Sequence, residues 1–404
     1  MDSNLSSLLT ILGFIFAIVG LVISAIFYYK SAKQLNIALL EINEHTVEVI
    51  KEIQGNNHHD MEEIQPRKLI YRREINKQNI GSLFRRAYNG DPSAQCDIGL
   101  HYELDKNIQK SIEWYQKAAG SGYTWAMINL GVMYDFGEDI KKDNNKARRW
   151  YQKAANKGSA EAMVNLGTMY YFNKKYEKAM FWYNQSAEHC NATGMRSVGL
   201  LYSLGRGVER DYNMAKLWYM KAAALGNVPA MYDLGNLYRL GLCGKQDHEG
   251  ARLWYRQAAV LGNVMAMYNL GNLYYFGLGG KQDHEGARLW YRKATESGNV
   301  MAMYNLGNLY RLGLGGEKDY GEARSWYMKA ADLGSVEAMV SMGNLFEVGL
   351  GVERDEERSL YWYNKAADLG SVEAKNILAG IKQRRTKYRS HRVVPGYQEF
   401  LEDV

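Results

Sequence analysis

The chain has 404 residues, 47% hydrophobic and 23% charged, which excludes a disordered or collagen-like polymer and is too long for one ordinary core. A net charge of +6 is too mild to mark a nucleic-acid binder, and three cysteines cannot staple a scaffold of this length. Forty glycines against four prolines point to helices closed by glycine rather than to an all-β design.

Residues 8–29 carry no charge, and 14 of these 22 are Leu, Ile, Val or Phe. A helix of that length spans about 33 Å, against a hydrocarbon core of about 30 Å, so a transmembrane helix is expected. Tyr28, Tyr29 and Lys30 mark an interfacial edge. The rival reading, a cleaved signal peptide, calls for a basic start and a small-residue cleavage site, whereas this segment begins with Asp2 and ends in Phe27-Tyr28-Tyr29. Lys30 and Lys33 follow the span and no lysine precedes it, which places the amino terminus outside and the rest in the cytoplasm, as a single-pass membrane protein. Cys96, Cys190 and Cys243 form no close pair, as a reducing compartment allows.

Over 30–54, Ala32, Leu35, Leu39, Ile42, Thr46, Val49 and Ile53 alternate spacings of three and four. That seam suits a short coiled coil joining protomers through 32–53, or an amphipathic helix lying on the membrane or on the following repeats. Residues 55–89 read as a linker and amino-terminal capping helices. His58, His59, Asp60, Glu62 and Glu63 have no organised ligand spacing and read as solvated linker. Arg67, Lys68, Arg72, Arg73, Lys77, Arg85 and Arg86 oppose only Glu74 over 67–86, a solvated basic face or one near anionic headgroups.

Residues 90–380 are periodic. Trp-Tyr occurs at 114, 150, 182, 218, 254, 290, 326 and 362, always 36 residues apart except for one step of 32. Repeats open at Gly90, Gly122, Gly158, Cys190, Gly226, Gly262, Gly298 and Gly334, and a ninth half-repeat at Gly370. Such self-similarity predicts an all-α solenoid, an alpha-alpha superhelix of helix-turn-helix repeats that bury their apolar faces against neighbours. In 226–261, Ala230, Met231, Leu234, Leu237 and Tyr238 share one arc of a first helix, and Tyr232, Asp233, Asn236, Arg239 and Leu240 the opposite arc. Gly241-Leu242-Cys243-Gly244 stops that helix, Asp247 caps the next, and Ala251, Trp254, Tyr255, Ala258 and Ala259 make its buried stripe.

The run Ala-Met-Tyr-Asn-Leu-Gly-Asn-Leu-Tyr at 266–274, a Gly-Leu-Gly-Gly loop, Asp283, Ala287 and Trp290-Tyr291-Arg292-Lys293-Ala294 together resemble the SEL-one-like repeat, a relative of tetratricopeptide repeats with a longer inter-helix loop. The resemblance covers about Gly90 to Gly380. Repeats one and three lack four loop residues, and Cys190 replaces an opening glycine. Secreted members pair cysteines within each repeat; this sequence does not. The resemblance implies an adaptor or scaffold, often in signalling or at membranes, and no catalysis.

Chemistry-bearing motifs are missing. His248-Glu249 and His284-Glu285 begin a zinc-protease pattern, but Arg252 and Arg288 stand where its second histidine belongs, so helix capping is the better reading. Gly244-Lys245 and Gly280-Lys281 lack the spacing of a phosphate loop, and neither Ser-x-x-Lys nor Cys-x-x-Cys occurs. The chain is therefore expected not to be an enzyme, with no cofactor and no metal.

Binding is expected on the polar arc of the first helices. Asp233, Asn236 and Arg239 recur as Asn269, Asn272 and Tyr275, as Asn305, Asn308 and Arg311, and as Ser341, Asn344 and Glu347, flanked by Tyr232, Tyr268 and Tyr304. Asparagine donates and accepts at once and suits a peptide backbone; Tyr and Arg commonly supply interface energy. Asn269 and Asn305 fit a role in capping local backbone; Asn236, Asn272, Asn308 and Asn344 fit binding better. Residues 381–404 form a basic tail with Lys382, Arg384, Arg385, Lys387, Arg389 and Arg392, read as solvated or as touching phosphate or lipid headgroups. Residues 87–381 hold 34 basic and 32 acidic side chains, too even for a nucleic-acid cradle. The leading expectation is thus a membrane-anchored scaffold whose concave face takes a protein or peptide. The alternative is an enzyme or enzyme-regulating envelope protein with the repeats on the outer side.

Overall fold

The structure, a computed structural model, describes residues 80–137 and 140–392. The expected membrane helix at 8–29, the seam at 30–54 and most of the 55–89 linker lie outside the described residues. Among the described residues no helix is long and apolar enough to cross a membrane.

Eighteen helices and no strand make up the described residues. In chain order they are α1 (Ile80–Tyr88), α2 (Pro92–Leu104), α3 (Ile108–Gly120), α4 (Thr124–Phe136), α5 (Asn144–Ala155) and α6 (Ala160–Phe172). Then follow α7 (Tyr176–Glu188), α8 (Ala192–Leu204), α9 (Tyr212–Ala224), α10 (Val228–Leu240), α11 (His248–Val260) and α12 (Val264–Phe276). The series ends with α13 (His284–Glu296), α14 (Val300–Leu312), α15 (Tyr320–Asp332), α16 (Val336–Val348), α17 (Glu356–Asp368) and α18 (Val372–Arg392). From α2 onward the helices alternate as the first and second of each repeat. They fall into two compact bodies divided after Leu166, inside α6.

In the first body α1 leans on α2 and α3. Leu83 and Phe84 pack against Ala94, Ile98 and Trp114, and Gln95 Nε2 donates to the Ala87 carbonyl at 3.1 Å. The second body is a solenoid run of stacked pairs, each first helix packed on its own second helix and on that of the preceding repeat. One apolar cluster runs from Ala287 to Ile381, and alanines such as Ala294, Ala302, Ala330 and Ala338 let the helices approach closely.

Caps set the boundaries. Asp247 Oδ1 accepts from Gly250 N at 2.9 Å and Asp283 Oδ1 from Gly286 N at 2.8 Å, satisfying amides that α11 and α13 leave free. His248 and His284 are simply the first residues of those helices. The first helices use caps that sequence reasoning did not single out: Asn227, Asn263 and Asn299, with Ser335 in repeat eight. Gly241 ends α10 at φ 65°, a left-handed conformation that costs a side-chain-bearing residue about 1–2 kcal/mol. Cys190 nevertheless holds φ 57° where the other repeats open with glycine, and Lys106 and Lys174 turn the chain in the short loops of repeats one and three.

The expected inner stripe is present, with its two aromatics in different roles. Tyr255 and its equivalents Tyr115, Tyr291, Tyr327 and Tyr363 are at most 1% exposed. Trp254, Trp218 and Trp326 are only half-buried, and over the last two a lysine three residues on covers the indole face: Lys221 lies 4.3 Å from Trp218 and Lys329 4.1 Å from Trp326. The tyrosine of the pair is buried in every repeat, whereas the tryptophan is buried in only some, as at Trp114, Trp290 and Trp362.

Candidate functional site

The buried tyrosine explains the glycine that follows an apolar residue in the middle of the first helix of each of the eight full repeats. Its ring lies flat on the glycine: a Cβ built on Gly271 would stand 2.6 Å from Tyr291 Cδ1, and one on Gly307 2.6 Å from Tyr327 Cε1. No real Cβ tolerates that approach, so each first helix is notched to admit the ring of its second helix. The same seat recurs from Gly99 under Tyr115 to Gly343 under Tyr363.

The ring runs through the helix pair, and its hydroxyl emerges on the polar arc. Tyr255 donates to Asn236 Oδ1 at 2.6 Å, Tyr291 to Asn272 at 2.7 Å and Tyr327 to Asn308 at 2.7 Å. Tyr363 Oη stands 2.6 Å from Asn344 Oδ1 and 2.7 Å from Glu347 Oε2. Arg239 Nε and Arg311 Nε donate back to the hydroxyls of Tyr255 and Tyr327 at 3.0 and 3.2 Å. The neighbouring asparagines Asn269 and Asn305 favour the phenolates of Tyr255 and Tyr291 from the next first helix. Asn305 Nδ2 lies 3.4 Å from Asn272 Oδ1 across that junction. The Asn236, Asn272, Asn308 and Asn344 row is therefore tied to the buried tyrosines by its side-chain oxygens, and in this geometry it is structural. The signal was in the sequence: in repeats five to eight an asparagine stands 19 residues before each of these tyrosines.

The other expected residues lie on the same face. The rings of Tyr232, Tyr268 and Tyr304 pack against the buried rings of Tyr255, Tyr291 and Tyr327 at centroid distances of 5.8, 6.1 and 5.9 Å, and all three remain half-exposed. Tyr275 stands 5.3 Å from the His284 ring. Asp233 is bonded to Arg196 Nε of the preceding first helix at 2.7 Å; burial pushes its carboxyl up and the Arg196 charge opposes that. Glu347 reaches Arg384 of α18 at 3.5 Å. What results is a ridge of tyrosine, arginine and amide groups, each held by a partner beneath it. Among the described residues no three metal-ligating side chains gather in one place.

Burial governs the hydroxyls electrically as well. Removal from water pushes Tyr255, Tyr219 and Tyr327 up to about 12, although the donors Arg239 and Arg311 favour the phenolate of Tyr255 and Tyr327. An unfolded tyrosine loses its proton near pH ~10. The folded state thus keeps its protons longer, and its tyrosine-dependent stability is complete below that pH and drains away as pH rises toward about 12. Alkaline titration followed by phenolate absorbance and circular dichroism is expected to show these tyrosines ionising together with loss of helix; early ionisation in intact helices would contradict the burial argument.

A run of notched helix pairs with a polar ridge is a scaffold-like helical-repeat fold. Matches to the Sel1 repeat cover residues 92–123, 126–159, 160–189, 192–227, 228–263, 264–299, 300–335 and 336–371, and the chain belongs to that family. Among solved structures it is similar to a protective antigen of uropathogenic Escherichia coli with an SLR fold, at 34% identity and TM-score 0.64 over 76% of this chain and 68% of that one. It is also similar to a Sel1 repeat protein from Oxalobacter formigenes, at 27% identity and TM-score 0.59 over 80% and 95%. No curated protein matches the chain.

Proposed function

We propose that the chain is a non-catalytic, membrane-tethered scaffold whose first-helix ridge in repeats five to eight takes a protein or peptide. The observation that carries this reading is the preorganised ridge. Tyr232, Tyr268 and Tyr304 are backed by buried rings and Arg239 and Arg311 by buried hydroxyls, so docking immobilises little that is not already fixed. Tyrosine and arginine are also the side chains that most often dominate interface energies. The tether is the apolar segment 8–29, with the repeats on the cytoplasmic side by the flanking lysines; pairing through 32–53 would add avidity.

The test replaces the arginines and leaves the asparagines alone. Asn272→Arg or Asn308→Arg would strip a buried hydroxyl of its acceptor and confuse folding with binding. Arg239→Gln with Arg311→Gln keeps both tyrosine–asparagine bonds. In a crosslinking pull-down from membranes this double variant is expected to lose its captured partner at least fivefold with an unchanged circular dichroism spectrum. Full retention counts against the ridge. Protease protection in sealed vesicles reads the topology: external cleavage of the repeats would place them outside.

A further inference from the structure

Leu240, Phe276, Leu312 and Val348, the last residues of α10, α12, α14 and α16, are 51, 63, 43 and 64% exposed. Single exposed apolar residues are ordinary; one per repeat at the same register makes a row. The half-exposed Tyr232, Tyr268 and Tyr304 make a second row, eight residues earlier on the same helices. The asparagines between the rows are already bonded to buried hydroxyls. Charge on this strip is one-sided. Arg196 and Arg384, at its two margins, are paired with Asp233 and Glu347. Arg239 and Arg311 are bonded to the neutral hydroxyls of Tyr255 and Tyr327 and, among the described residues, to no carboxylate.

We propose that the element received here is an acidic amphipathic α-helix of a partner protein, lying crosswise over the first helices between the tyrosine row and the apolar row. This deepens the docking role already given to the ridge and rests on it. Period, width and charge each support that occupant. Neighbouring first helices, in contact through pairs such as Asn305 and Asn272 at 3.4 Å, are spaced at packed-helix distance, about 10 Å per repeat. Seven residues of a guest helix advance about 10.5 Å and complete two turns to within ~20°, so residues seven apart meet successive repeats with the same face. An extended strand covers that step in about three residues, and an odd number turns the next side chain away. The eight residues that separate the two rows amount to about 12 Å of host helix, the diameter of a helix with its side chains. Arg239 and Arg311 lie two repeats apart, which places the guest's carboxylates about 14 residues apart, beside its apolar seam. Tyr275 stands at the register position between them and needs no charge opposite.

The test uses the full chain in phosphatidylcholine nanodiscs, with a photoreactive benzoylphenylalanine at Leu240, Phe276 or Leu312 in three separate preparations. The probe is a seventeen-residue synthetic peptide with leucine at its second, ninth and sixteenth positions and glutamates beside the first and third leucines. Only one register lets all three leucines engage three repeats. After irradiation and peptide mapping, the crosslinked peptide residue is expected to move by about seven from each repeat to the next. Arg239→Glu with Arg311→Glu should lower the yields about tenfold and raise them about tenfold for the peptide carrying lysine in place of glutamate. Glutamate is native at that register in repeat eight, where Tyr363 donates to Glu347 at 2.7 Å, so the fold tolerates the change. A step of about three residues per repeat, the mark of an extended guest, would overturn the proposal, as would yields indifferent to the charge reversal. Absence of crosslinks from all three positions would also overturn it. The docking role of the ridge would survive that failure if Arg239→Gln with Arg311→Gln still lost its captured partner, and would fall with it if the partner were retained.

Discussion

Gly271→Ala is expected to destabilise the second body by about 2–3 kcal/mol, the range of an overpacked core. The added methyl would sit 2.6 Å from Tyr291 Cδ1 and Cε1, and the ring has nowhere to retreat, being 1% exposed. Alanine is otherwise the better helix former by about 0.5–1 kcal/mol, so any loss measures the ring contact against a propensity gain. Gly380→Ala is the matched control: this glycine lies in α18 with nothing within 4 Å of the position a Cβ would take, and its replacement should leave the melt unchanged or raise it. Thermal and urea melts followed by circular dichroism decide. Equal behaviour of the two variants would remove the notch from the account.

Tyr327→Phe is expected to cost about 1–2 kcal/mol, because it leaves Asn308 Oδ1 without its donor and Arg311 Nε without its acceptor. Asn308→Leu should cost a similar amount by stranding the hydroxyl, and the double variant less than the sum. The residues are 19 apart in sequence and in contact, so their coupling energy is a direct reading of the bond. Strict additivity would mean that the hydroxyl is satisfied by water and the asparagine is free to serve a ligand.

The repeat register, the helix pairs, the Asp247 and Asp283 caps and the alanine–tyrosine stripe were legible because each rests on local chemistry repeated at a fixed period. The seat of Tyr291 on Gly271 was not. Helical-wheel reasoning assigns side chains to faces, and a glycine has none, so its purpose shows only when the facing ring is placed. For the same reason Asn272 looked like a free amide until the Tyr291 hydroxyl reached it through the helix pair. Leu240 was read onto the polar arc, correctly for angle, but angle alone does not tell that the last turn of α10 runs beyond the cover of its neighbours. The Trp-Tyr pair gave the period while hiding which ring is central: Tyr255 is fully buried and Trp254 half-open.

The central claim is that partners dock on the first helices and not on the second. The most direct measurement places one photoreactive aromatic residue at Tyr268 on the ridge and, in a separate chain, at Leu289 on the outer face of α13, which is 52% exposed. After irradiation of intact membranes, a discrete protein adduct from position 268 that is missing from position 289 is the predicted result. An adduct from 289 alone, with 268 unreacted, would contradict the account.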